Sequence, residues 1–420
     1  MLSILLPTLY LWMVDFISLR RGTWVIEKDT KMDVRLWGYL DIEEAIFFLV
    51  SNIMVVFGLI SVDHGIAIAE YETVASDSAS KATPSLYRIA WQYLAGPKKF
   101  YDLGFLRGLS AAIDKLAQKS QSMYLGSAMF QDRLRVDLIL LYSFCRVIDD
   151  LVDEAPDRET AQANVKEARQ VLHWRFSTKR TSKPLYDYLE AGKKESKDDA
   201  SLPLILSIAL LPTSRLTMTP LLELLSGFEM DLQFSAREEK FPIQTEADLD
   251  LYAYRVAGTV ASSLLELVFS HYGLDQADFP PEKQNQIIQA GQRMGQALQY
   301  VNIARDIRQD ATLGRVYIPN SWLQEEMMSP SDVIAGDDPR IAIFEDRMLR
   351  KGAIAHDSSV RYIDMLPFEA RGPVKTTVES YMMIGDMVRK RRRQGLHDMP
   401  GKLKVPLWQR VVRAWGEMQH

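Results

Sequence analysis

Two short acidic segments carry the clearest chemistry in the chain: Asp149-Asp150-Leu151-Val152-Asp153 and Asp306-Ile307-Arg308-Gln309-Asp310. In each, two aspartates stand four residues apart, which on an α-helix puts them on one face, about 6 Å apart along the axis. Carboxylates so placed repel one another unless a cation lies between them. An all-oxygen donor set suits Mg²⁺, which binds through one or two carboxylates and keeps water ligands for a substrate phosphate. A single DxxxD would read as a solvated helix face. Here both motifs end a stripe that is otherwise apolar or small: Leu138, Tyr142, Cys145, Asp149, Asp153, and Ile288, Gly291, Gly295, Gln299, Asn302, Asp306, Asp310. Carboxylates that continue a core stripe are expected to line an interior cavity. Arg146, Arg305, Arg308 and Arg315 stand beside them. Each arginine either neutralises a carboxylate or grips diphosphate oxygens in a bidentate fork. Four of them around metal ligands favour some phosphate contact.

Such residues need long helices to hold them, and the sequence supplies the pattern. Helical periodicity predicts helices at 103–120, 130–154, 158–175, 218–235, 247–272, 281–312 and 372–394, with few alternating β-branched runs, so the fold class is all-α. The segment 177–201 is polar and charged and reads as a partly disordered surface insertion. With 420 residues, 47% hydrophobic and 25% charged, the composition is that of a globular protein. A domain of about 300 residues buries roughly three quarters of its unfolded surface, enough to enclose a deep cavity. A net charge of −5 argues against nucleic acid as a partner, and the basic run Arg389–Arg393 reads as solvated helix surface. One cysteine, Cys145, excludes an internal disulfide and a paired-cysteine zinc site.

The N-terminus departs from this composition. Residues 1–14 carry no charge, and 45–62 form a second uncharged run. Both are near the minimum that spans a bilayer, so a buried soluble hairpin is the alternative. Trp12, Trp24 and Trp37 near the run ends suggest an interfacial belt and favour two short transmembrane helices. The first run lacks the basic start and small-residue cleavage site of a signal peptide. The loop between the runs holds Arg20, Arg21, Lys28, Lys31 and Arg35, which the positive-inside rule would place in the cytosol. Two spans with a truncated-looking start are too few to apply that rule, and the following domain is expected on the cytosolic side of an endomembrane. Three regions are expected: a membrane segment at 1–70, a linker at 71–95 and a catalytic domain at 96–420.

The first acidic motif stands in YSFCRVIDDLVD (Tyr142–Asp153), close to the YxxCRxxDxxxD of the squalene and phytoene synthase family. YAYRVAGTVA (Tyr252–Ala261) resembles one family signature, with Ala253 where a cysteine is often found. MGQALQYVNIARDIRQDATLGRVYIP (Met294–Pro319) resembles the other, and GFEMDL (Gly227–Leu232) and SMYLG (Ser122–Gly126) match shorter blocks. The resemblance covers roughly residues 100–400. It implies an isoprenoid-synthase helical fold in which Asp149, Asp153, Asp306 and Asp310 face one another across a cavity. It also implies Mg²⁺, with Mn²⁺ as a substitute, and no NADPH. Two geranylgeranyl diphosphates would join head to head through a cyclopropyl diphosphate to give phytoene, the first carotenoid. Arg146, Gln299, Asn302, Arg305, Arg315, Tyr317 and Asp231 would contact substrate. Tyr252 would stabilise the cations, unless it is a core tyrosine with a satisfied hydroxyl.

PTLYLWMVDFISLRRGTWVIE (Pro7–Glu27) and WGYLDIEEAIFF (Trp37–Phe48) resemble the end of the lycopene cyclase region fused ahead of fungal phytoene synthases. Glu43 and Glu44 are then candidates for proton transfer in a redox-neutral ring closure. Asp41 and Glu44 also have capping-box spacing at the start of the second apolar helix. Only the last part of that region is matched, so the segment is expected to act chiefly as an anchor. Membrane and other carotenoid-pathway enzymes are the expected partners. The competing readings are a squalene synthase-like condensation with NADPH reduction and a non-catalytic membrane-bound relative. The second should have lost its carboxylates; this chain keeps all four.

Overall fold

The computed structural model describes residues 2–25, 32–75, 87, 103–119, 121–130, 132–177, 202–272, 279–336 and 338–394. The chain divides into two compact units, Met1–Asp102 and Leu103–His420. All but Ser177 of the expected insertion at 177–201, and most of the expected linker at 71–95, lie outside the described residues.

The first unit pairs helix α1 (Leu2–Arg21) with helix α2 (Ile42–Ala75) through a small antiparallel hairpin, β1 (Arg35–Trp37) and β2 (Leu40–Asp41). Gly38 makes the tight turn between the strands in the left-handed region, φ 58°. The two helices are held by polar groups as well as packing. Trp12 Nε1 donates to the Ala45 carbonyl at 2.9 Å, and Asn52 Nδ2 donates to Thr8 Oγ1 at 3.0 Å. Phe16 stacks on Trp37 with ring centroids 5.6 Å apart. Apolar side chains such as Leu6, Met54 and Phe57 point outward and are about two-thirds exposed. Leu2–Arg21 and Ile42–Ile66 are long and apolar enough to cross a membrane.

In the second unit the helices run in the order α3 (Leu103–Lys119), α4 (Gln121–Ala128), α5 (Asp132–Asp153), α6 (Arg158–Ser177), α7 (Leu202–Ala209) and α8 (Met218–Asp231). They continue with α9 (Glu246–Ala253), α10 (Thr259–Tyr272), α11 (Pro281–Thr312), α12 (Asn320–Glu325), α13 (Pro330–Ala335), α14 (Ile341–Ser359) and α15 (Phe368–Arg393). Local signals explain several starts. Thr245 and Asp248 form a capping box before α9, and Ser329 and Asp332 form one before α13. Pro281 opens α11 at a position where its missing N–H costs nothing. Residues buried around most of its circumference, among them Ala290, Met294, Ala297, Val301 and Ile307, mark α11 as the central helix. It packs against α10, α14 and α15.

The structure differs from the sequence pattern in two places that matter. The helix expected over 247–272 is broken by a single π turn, Tyr254–Gly258, between α9 and α10. Such wide turns re-aim side chains, often at functional sites. Here the turn crosses α11 so closely that a Cβ at Gly295 would lie 2.6 Å from the Ala257 carbonyl oxygen. The sequence pattern also misses α14, because Gly352 and a string of charges interrupt its apolar periodicity. Gly352 is needed there: a Cβ would stand 3.2 Å from the Ala297 carbonyl oxygen of α11.

Away from the cavity, one buried ion cluster ties the helices together. Asp137 of α5 is fully buried and takes Arg133 at 3.0 Å, His271 of α10 at 2.9 Å and Arg215 at 3.4 Å.

Candidate active site

A cavity of about 510 Å³ opens inside the second unit, between α5, α8, α10, α11 and α15. Its walls are mostly apolar, and its charged groups converge at one end. The C-terminal turns of α5 and α11 both line that end, because both acidic motifs close their helices.

Asp149, Asp306 and Asp310 line the cavity. Burial, reinforced by Asp153, pushes the Asp149 carboxyl up to about 6. Burial and the neighbouring Asp306 push Asp310 up to about 7. Asp153 is a correction to the expected stripe: it does not line the cavity but sits exposed at the rim, paired with Arg315 at 2.8 Å. The helix ends at Asp153, so its side chain escapes the interior. Asp150 has a separate task. It pairs with Lys115 of α3 at 2.9 Å and Arg146 at 2.7 Å. Burial opposes its ionisation, but these cations outweigh burial and hold its carboxyl low.

The arginines divide likewise. Arg146 lies 2.8 Å from Asp149, and Arg305 grips Asp306 with two hydrogen bonds of 2.7 and 2.5 Å. Arg315 lines the cavity; burial alone would lower its guanidinium, but Tyr317, Asp231 and Asp153 reverse that and secure the charge. Arg308 is turned elsewhere: its guanidinium donates to the Gly336 carbonyl at the end of α13, 2.5 Å away. It therefore acts as a cap for that helix rather than a diphosphate ligand.

Asp231, at the end of α8, accepts hydrogen bonds from Tyr317 Oη at 2.7 Å and Tyr252 Oη at 3.2 Å. The two rings stack with centroids 4.8 Å apart. Burial pushes Asp231 up to about 7, although Arg315 and both hydroxyls oppose it. Both tyrosine hydroxyls are held well above their ordinary range by burial and by Asp231. Gln299 and Asn302 line the cavity two turns and one turn before Asp306, and Asn302 Nδ2 donates to Gln299 Oε1 at 3.4 Å. Cys145 also lines it, its thiol pushed up to about 12 by burial and Asp149, so it stays protonated and inert. Ala253, the departure from the family signature, is fully buried outside the cavity lining. Ser359, Tyr362, Thr377 and Tyr381 line the cavity from the last third of the chain and were missed in the sequence. The only signal there was the amphipathic pattern of α15.

Among the described residues no three carboxylate, histidine or cysteine side chains converge into a preformed metal cage. The donors still fit Mg²⁺, which takes few protein ligands and completes its shell with water and phosphate. They are oxygen only, two of them resist ionisation without a cation, and Asn302 Oδ1 is buried with no hydrogen-bond partner. In the first unit, Glu43 accepts a hydrogen bond from the Met32 backbone N–H, and Glu44 follows it in the first turn of α2. Asp41 lies 3.7 Å from Arg35.

The family model for squalene/phytoene synthase matches residues 116–409, and the chain belongs to that family. Within it, the sequence is similar along nearly all its length to fungal proteins named as bifunctional. It is 48% identical to the bifunctional lycopene cyclase/phytoene synthase of Arthroderma gypseum, over 98% of this chain and 68% of that protein. It is 44% identical to the one of Aspergillus oryzae, over 100% of this chain and 70% of that protein. Among solved structures, a dehydrosqualene synthase superposes with a TM-score of 0.56 at 20% identity, covering 75% of this chain and 96% of that one. The squalene synthase of Alicyclobacillus acidocaldarius gives 0.51 at 21% identity, covering 70% and 97%. At those identities the likeness shows a shared isoprenoid-synthase fold.

Proposed function

We propose that this chain is a phytoene synthase that joins two geranylgeranyl diphosphates head to head and carries part of a lycopene cyclase at its N-terminus. The observation that supports it most is the polarity of one cavity: carboxylates and arginines at one end, an apolar tunnel behind them, and a tyrosine stack between. The reaction is redox-neutral. The two substrates lose two diphosphates and two protons, so the carbon skeleton needs no hydride from NADPH.

Asp149, Asp306 and Asp310 on the cavity wall, with Asp153 at its rim, would hold Mg²⁺, or Mn²⁺ in its place. The bound metal supplies positive charge that neutralises a departing diphosphate. The chain's own contribution begins with Arg146, Arg305 and Arg315, whose fixed guanidiniums receive that diphosphate as the allylic C–O bond breaks. The double bond of the second substrate then attacks the allylic cation, and loss of a proton closes a cyclopropane. A second ionisation, rearrangement and proton loss complete phytoene. Through these steps the stacked faces of Tyr252 and Tyr317 present π density to the cation. Asp231 holds both rings by their hydroxyls, so that the faces stay in place. The apolar wall keeps out water, which would trap the cation as an alcohol.

Two exposed apolar helices support anchorage in an endomembrane, with the synthase unit on the cytosolic side where soluble diphosphates are made. Other enzymes of the carotenoid pathway would share that membrane. Incubating the chain with Mg²⁺ and geranylgeranyl diphosphate, without NADPH, should give phytoene. Asp149→Asn and Asp306→Asn should each lower the rate by about a hundredfold or more. Product formed only with NADPH would instead establish squalene synthase-like chemistry. Feeding lycopene to membranes carrying the chain tests the cyclase region: a cyclic product that Glu43→Gln or Glu44→Gln abolishes would assign them proton transfer.

A further inference from the structure

Helix α11 forms one wall of the cavity from Asp310 back to Ile287. At a rise of about 1.5 Å per residue, Gly295, Gly291 and Ile287 lie about 16, 22 and 28 Å along the helix from Asp306. One isoprene unit adds five carbons, four of them along the length of a prenyl chain, which is close to one helical turn of about 5.4 Å. Wall positions four residues apart therefore mark successive isoprene units measured from the diphosphate.

The two glycines on this wall are not equivalent. A Cβ at Gly295 would meet backbone, the Ala257 carbonyl and Gly258 Cα, so this glycine serves helix packing. A Cβ at Gly291 would overlap only Cδ1 of Leu265, the far end of a flexible side chain that itself lines the cavity. Between α10 and α11 the space a Cβ at 291 would take is thus filled by a side chain that can move, and the missing Cβ leaves Leu265 folded against the wall. One turn further from the diphosphates, Ile287 is 2% exposed and is the last residue of α11 to face the cavity.

We propose that Gly291 and Leu265 form the constriction that sets which prenyl chain length the cavity accepts, with Ile287 as the floor beneath it. The proposal rests on the reading of this cavity as the site of a head-to-head condensation. Filling position 291 drives Leu265 into the tunnel and shortens it by about one isoprene unit, which favours C15 over C20 substrates. Removing bulk at position 287 lengthens it and admits C25.

The test uses the full chain in detergent with Mg²⁺, equimolar C15 and C20 allylic diphosphates and no NADPH, with the C30 and C40 hydrocarbons separated by chromatography. Gly291→Leu should shift the C30-to-C40 ratio about tenfold or more toward C30, since a single mismatched alkyl increment already discriminates on that scale. Adding Leu265→Ala to that variant should restore C40 by vacating the space. An active Gly291→Leu with the wild-type ratio overturns the proposal. Should Gly291→Leu not fold, Ile287→Ala decides: about tenfold more product from a C25 diphosphate than wild type supports the floor, and an unchanged yield overturns it. A wild-type chain that makes no C40 hydrocarbon from C20 diphosphate alone defeats the phytoene synthase reading itself, a result separate from an unshifted ratio.

Discussion

Asp231 offers a quantitative test of the electrostatics, because replacing it by asparagine keeps the shape and removes the charge. Its carboxyl sits at about 7 rather than 3.8, chiefly through burial at the end of α8. A carboxyl raised in the folded state destabilises the fold once it must ionise. Below the unfolded value both states are protonated and Asp231 costs nothing. As pH rises from about 4 to about 7, the unfolded chain has released a proton that the folded chain still holds, so stability falls. At about 1.4 kcal/mol per pH unit, the loss across that window approaches 4 kcal/mol, and it is constant above pH ~7. This is an upper bound, since Asp231 opens onto the cavity and couples to Asp310 and Arg315. An asparagine at this position does not titrate, so D231N should gain stability relative to wild type as pH rises. From pH 5 to pH 8 the difference should change by about 3 kcal/mol. Offsetting that gain by a constant amount, one tyrosine hydrogen bond worth about 1 kcal/mol is weakened at every pH. Thermal melts of both proteins, free of divalent cations, at a series of pH values measure this. The gap in Tm between them should widen by several degrees in favour of D231N between pH 5 and pH 8. A gap that stays constant over that range would refute the burial of a titrating carboxylate at this position.

The remaining predictions follow from the same structure. Burial holds Asp149 up to about 6 and Asp310 up to about 7, and both must lose protons to bind a cation, so Mg²⁺ should raise Tm more at pH 8 than at pH 6. An equal rise at both values would exclude these carboxyls as its ligands. Asp137→Asn leaves Arg133, Arg215 and His271 without their shared anion and should cost about 3–5 kcal/mol, read as a fall in Tm. Gly295→Ala should cost about 1–3 kcal/mol by forcing α11 away from the π turn, whereas Gly291→Ala should melt close to wild type.

Much of the site was legible in the sequence because helical geometry is local. The four-residue spacing of Asp149 with Asp153, and of Asp306 with Asp310, follows from chain order once the segments are helical, and so does their place at the end of an otherwise apolar or small stripe. The bounds of α5 and α11 also follow from periodicity and from Pro281 at the start of the latter. Tertiary structure decided what that spacing could not. Asp149 turns into the cavity and Asp153 out to Arg315, because the helix stops between interior and rim. Asp150, adjacent in sequence, leaves the site for Lys115, and Arg308 leaves it for the Gly336 carbonyl. Asp231, Tyr252 and Tyr317 are separated by many residues, and only the meeting of α8, α9 and the segment that follows α11 closes them into one hydrogen-bonded group. The π turn that continues α9 crosses α11 only because Gly295 has no side chain. Local sequence thus sets which residues share a helix face. Which faces meet, and how deep a tunnel they leave, depends on the close approach of helix backbones, and that is a property of the packed fold.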